Sequence, residues 1–129
     1  YEIMVGDWSS DVCSSNLAMR PAAGLSFGEA KLLEIARALA AEPRILMLDE
    51  PIAGVPASEQ APIAQTIRRV NAQGVTVVLV EHNMRMVMGL CDEILVMRSG
   101  RFLAEGTPQQ IAADAEVIGA YLGTEPAHA

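Results

Sequence analysis

Two nearly unbroken apolar runs, Ile45-Leu-Met-Leu48 and Val75-Thr-Val-Val-Leu-Val80, constrain the fold more than any other feature of the chain. A half-exposed strand alternates apolar with polar residues, whereas a parallel-sheet strand covered on both faces does not. Both runs therefore predict strands buried on both sides. Around them the spacing changes to that of amphipathic helices. After Ser26-Phe-Gly-Glu29, the residues Leu32, Ile35, Ala36 and Leu39 fall on one helical face, and the helix runs to about Ala41, stopped before Pro43. A second helix carries Ile63, Ile67 and Val70 and ends at Gly74, with Pro62 leaving its start open. Strand alternating with helix predicts an α/β layered fold with a mainly parallel sheet.

Further along, Asn83 caps a short helix through Leu90. Residues 93–97 and 102–105 flank Arg98-Ser-Gly-Arg101, a hairpin signal, and Thr107-Pro108 opens a helix with Pro in its first position. The C-terminal residues read as a helix ending at Gly123 followed by a polar tail, 124–129. A length of 129 residues allows one small domain with its own core. The longest apolar run falls short of the roughly 18 to 20 residues of a membrane-spanning helix.

Charge narrows the function. Nine basic residues against sixteen acidic give a net charge of −7, which argues against nucleic acid as a partner, since that affinity comes from neutralising phosphates with Lys and Arg. Cys13 and Cys91 stand far apart with no CxxC or Cys/His spacing, so neither a disulfide framework nor a zinc site is expected, and a reducing, cytosolic setting is the default.

The opening segment, residues 1–16, differs from the rest: it has no periodicity, no signal-peptide pattern, three acids, the single Trp and no base. It resembles the translated sequencing-adapter read-through found at the edges of proteins predicted from assembled environmental DNA, and is expected to be non-native or a disordered arm. Without it the chain carries 13 acidic and 9 basic residues, a net of −4.

Three places could carry chemistry. Ser26-x-x-Glu29 before an apolar helix is a capping box, and the same helix N-terminus, with Gly28, could present backbone amides to a phosphate oxygen. Asp49-Glu50 closes the first apolar strand, at the edge where parallel α/β sheets bind ligands. Two acids there are either a solvated turn or a functional pair, Asp49 holding Mg²⁺ through water and Glu50 deprotonating an attacking water. His82 follows the second apolar strand at the same edge, where an imidazole could reach the same ligand.

In order and spacing, Leu25-Ser26-Phe27-Gly28-Glu29, Ile45-Leu-Met-Leu-Asp49-Glu50-Pro51 and Val78-Leu-Val-Glu-His82-Asn-Met84 resemble the ATP-binding subunits of ABC transporters: the signature motif, the Walker B strand with its glutamate, and the switch histidine. The resemblance covers about residues 17–123, the C-terminal half of such a nucleotide-binding domain. It extends to the branched-chain amino-acid importer subfamily through Phe27, LEIARALA, EHNMRMVMGLCDEILVM and GTPQQIAADAEVIGAYLG. The resemblance implies a P-loop NTPase-like fold using ATP and Mg²⁺. It implies a second ATP-binding subunit, since ATP is sandwiched between two, with membrane permease subunits below and, indirectly, a solute-binding protein. The place implied is cytoplasmic, peripheral on the inner face of the cell membrane. Asp49 would bind Mg²⁺ through water, Glu50 activate the hydrolytic water, His82 contact the γ-phosphate, and Ser26 and Gly28 contact the γ-phosphate held by the partner chain.

Three departures qualify it. Phe27 and Glu29 replace the more common Gly and Gln of the signature. Pro56 stands where the family usually places Asn or Asp, which puts the loop's polar contact across the dimer in doubt. No G-x-x-x-x-G-K-[ST] occurs in the 129 residues, so this chain alone is expected to be inactive. The strand carrying that loop sits, in the resembled fold, between the His82 strand and residues 93–97. Without it those two strands are expected to pair directly or leave unpaired backbone, and a compact, fully covered sheet would count against the half-domain reading. Two other functions fit the motifs: a soluble, non-transport ABC ATPase, or an inert or regulatory interaction fragment.

Overall fold

A computed structural model describes residues 21–121. Residues 1–16 with Cys13, the expected helix end at Gly123 and the tail 124–129 lie outside the described residues. The chain divides into two units, the first ending at His82 and the second beginning at Asn83.

In the first unit, a 3₁₀ turn at Ala22–Gly24 precedes helix α1 (Phe27–Leu39), strand β1 (Ile45–Asp49), helix α2 (Ala57–Ala72) and strand β2 (Thr76–Val80). The strands pair in parallel, Ile45 opposite Thr76 through Asp49 opposite Val80. Helix α2 packs on α1 and on β2. Its buried stripe is the one that the sequence spacing predicts, Ile63, Ile67 and Val70, with Ile63 wholly enclosed. The helix starts earlier than Pro62 suggests. Pro62 lies in its second turn, where a missing N–H removes one hydrogen bond without ending the helix. Gly74, at φ 94°, makes the left-handed turn that leads into β2.

One expectation is corrected here. The strands are buried on one face only. Leu46 is buried and Leu48, Val77 and Leu79 are half-buried, while Ile45, Met47, Val78 and Val80 stand between 40% and 72% exposed. In a strand pair, alternate side chains point to opposite faces, so a helix layer on one side leaves the other row in water whatever its composition.

The second unit comprises α3 (Met84–Leu90), β3 (Ile94–Arg98), β4 (Arg101–Gly106), α4 (Pro108–Ala113) and α5 (Ala115–Tyr121). Asn83 caps α3 by accepting from the Met86 amide at 3.1 Å. Strands β3 and β4 form an antiparallel hairpin. Ser99 and Gly100 at its tip both take positive φ, 51° and 76°, as a two-residue turn matched to strand twist requires. Thr107 and Gln110 make a capping box at the start of α4. Asp114 then breaks the helical run and caps α5 through the Glu116 and Val117 amides. Val87, Ile94, Val96, Ala104, Ile111 and Val117 form this unit's core. Among the described residues each unit holds one two-stranded sheet, parallel in the first and antiparallel in the second.

Candidate functional site

The C-terminal edge of β1 and β2 gathers the acid pair and the histidine. The Glu50 amide donates to Val80 O at 2.9 Å, extending the parallel ladder one residue past β1. The backbone then turns sharply, with Glu50 at φ 45°, a left-handed conformation that costs an L-residue roughly 1–2 kcal/mol. Two short-range bonds close the turn, Ala53 N to Glu50 O at 3.0 Å and Val55 N to Ile52 O at 3.0 Å, and buried Ile52 and Val55 anchor it. This geometry brings Glu50 Oε1 to 3.2 Å from His82 Nδ1, across residues that lie 32 apart in sequence. Both side chains face solvent, His82 at 75% and Glu50 at 51% exposed.

Asp49, on the same edge, is exposed. Among the described residues no group of three or more His, Cys, Asp or Glu converges into a metal cage. That donor set suits Mg²⁺, which keeps most of its water and takes one or two carboxylates together with phosphate oxygens.

The sequence Leu25 to Glu29 forms the N-terminus of α1, and the capping box is complete. The Glu29 amide donates to Ser26 Oγ at 3.2 Å, and the Ser26 amide to Glu29 Oε2 at 2.8 Å. Phe27 is 69% exposed. The cap has a further partner that sequence reasoning missed. Glu59, in the first turn of α2, accepts at Oε2 from Ser26 Oγ at 2.6 Å and from the Gly28 amide at 3.0 Å. An acid in the first turn of a helix reads as a partner for that helix's own dipole, so nothing in the sequence pointed from Glu59 to residues some thirty positions earlier.

Pro56 precedes α2 and supplies no side-chain cap. The loop is held instead by Gln60 Nε2 donating to Val55 O at 2.9 Å.

The profile described as ABC transporter matches residues 5–53, and that of the branched-chain amino acid ATP-binding cassette transporter matches residues 103–127. The chain belongs to the ABC transporter ATP-binding family. It is 44% identical over 117 residues to BraF of Pseudomonas aeruginosa, a high-affinity branched-chain amino acid transport ATP-binding protein, covering 90% of this chain and 46% of that one. It is 45% identical over 107 residues to LivG of Escherichia coli K12, which carries the same description, covering 82% and 42%. A crystal structure of an ATP-binding cassette of an ABC transporter in its ADP conformation superposes with a TM-score of 0.80 at 33% identity, over 90% of this chain and 47% of that one. The chain thus spans about half the length of the curated relatives it matches. The mixed α/β fold is that of ABC-type P-loop ATPases. No helix among the described residues is long and apolar enough to cross a membrane.

Proposed function

We propose that this chain supplies the Walker B acids, the switch histidine and the signature cap of an ATP-hydrolysing, energy-coupling subunit of an ABC importer. The observation that carries the reading is the 3.2 Å approach of His82 to Glu50 at the strand edge, with Glu50 held in a left-handed turn. Phosphoryl transfer is mostly positioning and charge stabilisation, so the chemistry asks for a fixed base and a fixed donor at one edge.

In this reading Glu50 accepts a proton from the attacking water, and His82, fixed beside it, donates a hydrogen bond to the terminal phosphate. Asp49 would hold Mg²⁺ through water, and the ion would supply neutralisation of charge on the phosphates. Ser26 and Gly28 serve the nucleotide of a second ATP-binding subunit, and the pair works beneath membrane permease subunits fed by a solute-binding protein, on the cytoplasmic face. Branched-chain amino acids are the proposed cargo, by similarity to BraF and LivG.

The 129-residue chain has no G-x-x-x-x-G-K-[ST], and by itself neither holds ATP tightly nor turns it over. Phosphate release from Mg-ATP by the purified chain tests this. None is expected; turnover abolished by Glu50→Gln would overturn it.

A further inference from the structure

The cap of α1 is not an open cradle. A single carboxylate oxygen, Glu59 Oε2, occupies it by taking both the Ser26 hydroxyl hydrogen and the Gly28 amide. Charge-assisted bonds of this kind are about twice as strong as neutral ones, and the positive end of a 13-residue helix adds to the attraction. The fit is close. A Cβ built on Gly28 would lie 2.6 Å from Glu59 Oε2 and 3.0 Å from Glu59 Cβ, so the glycine makes room for this anion.

We propose that Glu59 is an internal competitor for the signature cap: its carboxylate holds, in the absence of a partner's nucleotide, the donors that a phosphate oxygen would take. The proposal rests on the reading that Ser26 and Gly28 bind phosphate. A phosphate arriving at the cap meets donors already engaged and a like charge beside them, and Glu59 must swing out before both bonds transfer. The cap therefore discriminates against lone phosphates and yields only to an anion held in place by other contacts, as a nucleotide on a second subunit would be.

Titration of the 129-residue chain with tripolyphosphate, followed at the Gly28 amide by ¹H–¹⁵N NMR against sodium chloride of matched ionic strength, tests this. Glu59→Gln keeps the shape and removes the charge, Glu59→Ala removes both, and the Ile63 and Val70 methyl signals report that α2 remains packed. In the unaltered chain tripolyphosphate should move Gly28 no more than salt does. In Glu59→Gln it should bind at least about tenfold more tightly, the order expected for removing a like charge from a helix N-terminus. Equal binding by the unaltered chain and both variants would overturn the competitor while leaving the phosphate reading intact. No binding by any of them would overturn both.

Discussion

His82 Nδ1 lies 3.2 Å from Glu50 Oε1, joining residues that follow the ends of two neighbouring parallel strands. The contact is solvent-exposed on both sides, and an exposed polar contact of this kind is screened by water and worth about 1 kcal/mol or less. Its energetic contribution to folding is therefore small. His82→Ala should shift unfolding free energy by less than about 0.5 kcal/mol in a urea titration. A loss above 2 kcal/mol would make His82 a structural residue and remove the main support for its proposed role.

Glu50 itself is the strained element. Glycine adopts φ 45° freely, so Glu50→Gly releases roughly 1–2 kcal/mol of backbone strain against roughly 0.5–1 kcal/mol of added chain entropy. The variant should be neutral or up to about 1.5 kcal/mol more stable by thermal unfolding. A clear destabilisation would mean that the carboxylate, not function, holds the turn.

The exposed row Ile45, Met47, Val78 and Val80 makes an apolar strand surface, which is expected to self-associate at high concentration. Met47→Lys, on the exposed face of β1, should lower light scattering of the concentrated chain at unchanged helix content. Scattering that stays the same would place the sticky surface elsewhere.

Burial, with the neighbouring Asp92 adding to it, pushes the Cys91 thiol above its ordinary 9.0. The unfolded chain then loses its proton first, so this group's contribution to stability is intact below pH 9 and declines as pH rises through the folded value. At pH 8 iodoacetamide should modify Cys91 more slowly in the folded chain than in urea, read by mass spectrometry of the Cys91 peptide. Equal rates would contradict the shift.

Much of this was legible in the sequence because the determinants are local. Ser26-x-x-Glu29, Asn83 and Thr107-Pro108 announce their helices, and each caps as expected. The Ser99-Gly100 tip carries its own turn chemistry. What was not legible depends on partners far along the chain. The continuous apolar strands encode two faces to be covered, and only packing reveals that Met47 and Val80 lie on an uncovered one. Glu59 reads as a surface acid until α1 and α2 are packed together and its carboxylate meets Ser26. The Glu50 and His82 contact lies between: both residues were singled out by position after their strands, but their hydrogen bond follows from the parallel register of Asp49 with Val80.

Glu50 is the proposed base of an ATPase site, and the 129 residues carry no G-x-x-x-x-G-K-[ST] to hold its phosphates. Residues 17–123 grafted in place of the matching segment of BraF, itself an ATP-binding protein, would supply the rest of the domain. The decisive measurement is the Mg-ATP turnover of that chimera with and without Glu50→Gln. The chimera should hydrolyse ATP, and the substitution should cut turnover by about 10²–10⁴-fold without weakening nucleotide binding. Turnover that survives Glu50→Gln would show that Glu50 is not the base.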